Sequence, residues 1–500
     1  MENNSFRCHF SIVFENLGST FFTICALLIL NLDDLGDMIK EFLAGNVKAL
    51  DILFVFGILF GILLLVFIIQ VVIWSKTWIS VEGDAIVIEK RTLNRKKNTI
   101  GMKNISNINM EQNIFERIVG TCKVKLDTNS QSTAETTDVK IVLKKDKAEA
   151  FRKQVMDHMN ADIQAEEINE EEDYDVSYTL KDIVMHCIYT ASIFNVLVLA
   201  AFLIGAIIGI RSISIGDVLL NGIINVLGSL LALLIVLFSV VRSLIKDFFV
   251  YYGFRAKRKA DKIYLSYGLL KKRHYVLSVD KINAIRVVAP AISRVFGRQY
   301  VELVCIGIGD EQNEKSILLL SEKRQDMLGK LSVLLPEISL EDRQMLRRKK
   351  NTVWHEITGI LFMFVFLSAI VVFAGILNVF GISGLWGRIL ILAVAVLVFV
   401  YWLVYVYMTF RTEGVYVGND ILIVSSGAFS KRVVWIPYQR IQTLQYSQGP
   451  VARHFGYAKG IIHILANVAN SIHGISCFDI TVFNQIQQHM LMRNGNQQVK

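Results

Sequence analysis

Charge is scarce in this chain. Asp, Glu, Lys and Arg make up 19% of its 500 residues, against roughly 25% in an average soluble domain. That scarcity excludes an intrinsically disordered protein. Only four prolines occur, so Pro-rich linkers are absent. The six cysteines, Cys8, Cys25, Cys122, Cys187, Cys305 and Cys477, are scattered without close pairs. This spacing excludes a disulfide-framed secreted module and predicts free thiols in a reducing compartment. No HExxH, Walker A, Gly-x-Ser-x-Gly or dinucleotide fingerprint is present, so neither a metal site nor a cofactor is expected.

What the chain has instead is apolar residues, 53% of the total, with a mean hydropathy of +0.45. They concentrate in six blocks, roughly 17–32, 52–74, 183–210, 217–241, 353–379 and 386–409. A bilayer span needs about 20 apolar residues, so the blocks predict six transmembrane helices paired as three hairpins. Lys and Arg lie almost entirely in the long segments between pairs, including Arg255–Lys259 and Arg343–Lys350. By the positive-inside rule this predicts that the long segments and both termini face the cytoplasm of a multi-pass cell-membrane protein. The resulting division is a transmembrane hairpin over 1–75, a β-rich module over 76–165, an acidic linker over 166–180, a hairpin over 181–245, a module over 246–338, a basic juxtamembrane linker over 339–352, a hairpin over 353–409 and a module over 410–500.

The long segments repeat one another. Each opens on an Asp, at 84, 261 and 420, followed two and four residues later by apolar positions, the alternation of a half-buried strand. A basic pair follows: Arg95-Lys96, Lys272-Arg273 and Lys431-Arg432. The match closes on Arg-x-x-Gly, at Arg117 and Gly120, Arg294 and Gly297, Arg453 and Gly456. From Asp to Gly the spacing is 36 in every copy. Helical patterns then follow, at about 145–160 and 321–335, with a shorter one at 482–493. Each copy reads as a β-rich domain closed by one helix.

The stretch Gln448-Gly449-Pro450-Val451-Ala452-Arg453-His454-Phe455-Gly456 resembles the signature of bacterial pleckstrin-homology-like domains of YdbS/YdbT-type membrane proteins. Copy one departs from it, with Gln112-Asn113-Ile114 at the Gly-Pro-Val position and Arg91 where the others have Gly268 and Gly427. The resemblance implies a seven-stranded, strongly bent sheet capped by a C-terminal helix in each copy, no catalysis, and a role in envelope-stress defence.

The basic pairs Arg95, Lys96, Lys272, Arg273, Lys431 and Arg432 are the candidate contacts for anionic lipid or a partner. Near a cytoplasmic leaflet each cation contributes about 1 kcal/mol of attraction. The competing reading is a solvated hairpin whose charges discourage edge pairing. For Arg117, Arg294, Arg453 and their glycines a structural role is favoured, the Gly taking a backbone geometry a side chain obstructs. Asp84, Asp261 and Asp420 are read as shaping the turn before a strand. Gly57 and Gly61, and Gly205 and Gly209, form GxxxG pairs for helix packing, within one chain or at an oligomer seam. The function expected is a non-enzymatic membrane scaffold whose partners are membrane lipids and a membrane protein or homologous single-domain subunit. Nucleic acid is not expected as a partner, and homo-oligomerisation stays open. The alternative is a component of a transporter or lipid-handling complex.

Overall fold

The computed structural model describes residues 5–30, 49–102, 105–128, 139–159, 174–191, 242, 245–305, 315–338, 340, 343–352, 356, 359, 363–365, 368–369, 385–464 and 472–497. The chain divides into two compact units. One comprises Met1–Thr133, Thr137–Glu172 and Leu270–His274; the other comprises Ala134–Thr136, Asp173–Leu269 and Tyr275–Lys500.

The first unit opens with helices α1 (Ser11–Leu30) and α2 (Ala49–Ser75), whose apolar sequences leave no polar face. They pack side by side through Phe14 and Phe67, ring centroids 6.1 Å apart, and an Asn16 to Gln70 hydrogen bond of 3.2 Å. Strands β1 (Thr77–Glu82), β2 (Ala85–Arg91) and β3 (Arg95–Gly101) form an antiparallel meander, with β3 at its edge. The outer edge of β1 is met by Phe6, which exchanges two backbone bonds of 2.8 Å with Ile79. Then come β4 (Ile105–Gln112), the short helix α3 (Ile114–Val119), β5 (Thr121–Thr128), β6 (Val139–Lys144) and α4 (Lys145–Met159). Alternation puts Ile79, Ile86, Ile108, Val124 and Ile141 inside, where Phe151 and Val155 of α4 close the core. The Leu270–His274 segment lies on the free side of β4, with Lys272 opposite Gln112 and His274 opposite Met110.

The second unit contains β7 (Val176–Ser177), α5 (Leu180–Thr190), β8 (Arg255–Lys259), β9 (Lys262–Tyr267) and β10 (Lys272–Ser278), the last from Tyr275 onward. It continues with β11 (Ala284–Ala289), α6 (Ala291–Val295), β12 (Arg298–Val304), β13 (Ile317–Lys323) and α7 (Arg324–Leu334). The final repeat supplies β14 (Leu346–Arg347), α8 (Leu385–Thr412), β15 (Gly414–Val417), β16 (Ile421–Ser426), β17 (Lys431–Pro437), β18 (Ile441–Ser447), α9 (Pro450–Phe455), β19 (Tyr457–Ile464), β20 (Ile472–Asp479) and α10 (Ile480–Gln497). The helices foreseen at 145–160, 321–335 and 482–493 are thus α4, α7 and α10.

Two expectations are corrected here. The first is six transmembrane helices in three hairpins. Among the described residues one helical stretch, Gly57–Ser75, is long and apolar enough to cross a membrane. The third apolar block opens not as a span but as the amphipathic helix α5, capped by a reciprocal Thr179–Asp182 box, with Ile183, His186, Cys187 and Tyr189 buried. Its face packs on the second repeat's strands through His186 and Ser321, Nδ1 to Oγ 2.9 Å. Residues 192–241 and most of 353–384, with Gly205 and Gly209, lie outside the described residues.

The second correction concerns the sheets. Among the described residues repeats two and three each have seven strands, but those of a repeat do not form one sheet. In the second unit the order is β13-β12-β11-β17-β16-β15-β14, so the last three strands of repeat two join the first four of repeat three. The remaining strands of repeat three form their own β18-β19-β20 sheet. Pairing across repeats satisfies the backbone groups of β11 and β17 that an isolated module would leave unpaired at an edge. The cores follow suit. Trp435 and Val433 of repeat three are buried with the side chains of repeat two, while Ala284 and Val304 of repeat two are buried with those of repeat three.

Candidate anion-binding site

The repeated Asp residues share one backbone task. The carbonyls of Asp84, Asp261 and Asp420 accept from the N–H groups of Met102, Val279 and Tyr438, at 2.7, 2.8 and 3.3 Å. Each bond joins the turn before one strand (β2, β9, β16) to the residue following the next (β3, β10, β17), so the spacing in the sequence is the spacing of a meander. The Arg-x-x-Gly motif is a short helix and its cap. The N–H groups of Arg117, Arg294 and Arg453 donate to carbonyls four residues back at 2.8–2.9 Å. Gly120, Gly297 and Gly456 follow with φ of +74°, +62° and +71°, the left-handed region that favours glycine.

The three basic pairs occupy three different settings. Arg95 and Lys96 are exposed on β3. Arg273 is 5% exposed, opposite Glu111 on β4. The Glu111 carboxylate there sits 2.9 Å from both Lys125 Nζ and Lys271 Nζ, which compensates its burial. Lys431 begins β17 and is half-buried, with Arg432 exposed beside it. Gly57 and Gly61 show no close approach: a Cβ added to either meets nothing within 4 Å among the described residues.

Lys431 lines a cleft of about 470 Å³ with Arg294, Arg347, Phe410, Arg411 and Thr412. Four of these six side chains are cationic and none is acidic. The geometry is built from the end of α8. The Arg347 guanidinium donates to the carbonyls of Arg411, Thr412 and Glu413, at 2.9, 3.4 and 3.4 Å, groups that the helix end leaves unsatisfied. Arg294 Nη1 reaches from α6 to the Ala428 carbonyl at 2.9 Å and Thr412 Oγ1 at 3.3 Å. Arg411 Nη1 donates to the Tyr407 hydroxyl at 3.2 Å. Two acidic residues, Glu413 and Glu356, are held by Arg348. Glu413, 5% exposed, is held by Arg348 at 2.7 Å and by Ser476. Arg348 also binds Glu356 at 3.0 Å. The six lining side chains carry four positive charges, two of them exposed, and an anion entering the cleft meets their field.

Two of the four cations, Arg294 and Lys431, belong to motifs that recur in the sequence. Arg347 and Arg411 do not. Arg347 lies in the basic cluster read as a topology signal, and nothing in the sequence places it against the end of α8.

No curated protein and no solved structure matches the chain. A family model, the bacterial PH domain, matches residues 30–159, 193–328 and 362–492. These matches cover the three repeats and most of the chain. Three PH domains in tandem suit a scaffold or a lipid- or protein-binding role. The chain belongs to the bacterial PH domain family, with the domain present three times.

Proposed function

We propose that the protein is a non-enzymatic scaffold of the YdbS/YdbT type, attached to the cell membrane, and that its basic cleft holds the phosphate of an anionic lipid headgroup. One observation supports this reading above others: Arg294, Arg347, Arg411 and Lys431 converge on one cleft with no acidic lining residue among the described residues. The cleft lies at the end of α8, a helix whose Val396, Val400, Tyr401 and Tyr407 are exposed. An apolar helix end is where a headgroup phosphate meets protein cations. The PH domains and both termini face the cytoplasm in this account, and membrane attachment runs through the apolar stretch Gly57–Ser75.

Titration of the detergent-solubilised full chain with short-chain phosphatidylglycerol tests the reading. The double variant Arg411→Gln, Lys431→Gln weakens binding by about thirtyfold, at about 1 kcal/mol per cation removed. Unchanged affinity would remove the cleft from the account. Protease accessibility of the domains in intact spheroplasts tests the sidedness, protection being the predicted result.

A further inference from the structure

The junctions between repeats follow one rule, and the rule leaves two strand edges without a partner strand among the described residues. Across β4 and the start of β10, Gln112 faces Lys272, Glu111 faces Arg273 and Met110 faces His274. Across β11 and β17, Ala289 faces Lys431, Val288 faces Arg432 and Val287 faces Val433. The repeats are offset by 177 and 159 residues, as Asp84, Asp261 and Asp420 show. Under those offsets the two registers are identical, residue for residue. Both times the strand that opens on the basic pair meets the strand before the short Arg-x-x-Gly helix of the neighbouring repeat, in the same alignment.

The basic-pair strand of repeat one, β3, and the strand before the short helix of repeat three, β18, have no such partner among the described residues. Each is the terminal strand of a three-stranded sheet, and among the described residues no strand pairs with its outer edge. Both are largely exposed. We propose that these edges pair between molecules: β18 of one chain adds to β3 of a second copy of the same chain, head to tail. The junction register carried over places Leu444 opposite Thr99, Tyr446 opposite Lys97, Ser447 opposite Lys96 and Gln448 opposite Arg95. This rests on the junction geometry and not on the lipid reading above.

Three further observations favour this occupant. The first is charge. β3 carries Arg95, Lys96 and Lys97, whereas β18 (IQTLQYS) carries no charge. Antiparallel pairing of two β3 edges sets like charges against each other, and pairing β3 with β18 does not. The second is precedent within the chain. β10 and β17 begin with the same basic pair, and both are paired, so that pair does not block an edge here. The third is Arg453. At the internal junction Arg294 crosses from repeat two to repeat three and donates to the Ala428 carbonyl at 2.9 Å. Arg453 is its counterpart in repeat three and is exposed on α9. The counterpart of Ala428 in repeat one is Thr92, so Arg453 meets the Thr92 carbonyl of the second copy. Such a contact is heterologous, and the chains close into a ring or extend as a filament.

Two full-length chains with different tags, one Lys96→Cys and the other Ser447→Cys, are co-expressed and oxidised in native membranes. Both positions are exposed. The expected product is a disulfide-linked pair carrying both tags. A chain bearing both cysteines gives a ladder. Lys90→Cys, one strand inward on β2, gives no product with Ser447→Cys. Adding Arg453→Ala to the Ser447→Cys chain lowers the yield about tenfold. Native mass spectrometry of the unsubstituted chain gives multiples of the chain mass, a readout no added cysteine can disturb. Self-linked pairs of either single variant, a monomer only, or linkage to an unrelated protein would each overturn the proposal.

Discussion

Ala289 stands opposite Lys431 in the ladder that joins β11 to β17, and the two residues belong to different repeats. The ladder makes the packing of one repeat depend on the next. Trp435, opposite Ile285, is 5% exposed within the core of repeat two. Its counterpart in repeat one, Thr99, is exposed on β3. Chemical denaturation of the full chain checks the contrast. Trp435→Ala costs about 3–5 kcal/mol, and Thr99→Ala changes stability by less than about 0.5 kcal/mol.

Glu111 supports the corresponding junction in the first unit. It is 2% exposed and lies 2.9 Å from Lys125 and from Lys271. Glu111→Leu leaves Lys125, 4% exposed, as a buried uncompensated charge, at a cost of about 3–5 kcal/mol. Glu111→Leu with Lys125→Met recovers most of that loss, because the pair is then replaced by apolar volume. A double-mutant cycle in denaturant measures the coupling.

His186 makes stability depend on pH. Its ring is 1% exposed, accepts from the Ser321 N–H at 3.1 Å, contacts Tyr251 and Tyr300, and feels the positive charge of Lys315. Burial, with a contribution from Lys315, pulls its pKa from 6.5 down to about 3. The folded value lies below the unfolded one, so the unfolded chain binds the extra proton at mildly acidic pH. The neutral ring's contribution is fully present above pH 6.5 and is lost as pH falls from there toward 3. The slope is about 1.4 kcal/mol per pH unit. Thermal unfolding between pH 7 and 5 follows it, and His186→Gln flattens the part of the slope owed to this ring.

Gly427 has φ of +96°, and a Cβ there would stand 2.0 Å from the Ser430 carbonyl oxygen. Gly427→Ala must move backbone, so it lowers the melting temperature well beyond the Gly-to-Ala entropy gain of about 0.4–1 kcal/mol. Gly474, open around its Cβ and without positive φ, tolerates the same change.

The sequence made the repeat legible because its fixed points are backbone fixtures. The Asp carbonyl bond, the short helix before the Gly and the left-handed Gly each tie a residue type to a local geometry, and local geometry survives copying. The identity of a strand's neighbour is not local. The apolar residues of 284–289, buried on both faces of the strand, are equally compatible with β17 or any other edge beside them. The hydrophobic blocks misled for a related reason. Ile183 and Cys187 are apolar because they fill a protein core, and apolar runs alone do not distinguish core from bilayer. In the cleft, Arg294 and Lys431 were visible through repetition. Arg347 and Arg411 were not: Arg347 is held by the carbonyls at the end of α8, and Arg411 by the Tyr407 hydroxyl.

The central claim is that the cleft recognises an anionic headgroup. Native mass spectrometry of the full chain released from nanodiscs of equal phosphatidylglycerol and phosphatidylcholine reads it directly. The account predicts retained phosphatidylglycerol on the unsubstituted chain, and loss of that preference in Arg411→Gln, Lys431→Gln but not in Arg95→Gln, Lys96→Gln. Equal retention of both lipids by the unsubstituted chain, or an undiminished preference in the cleft variant, would contradict it.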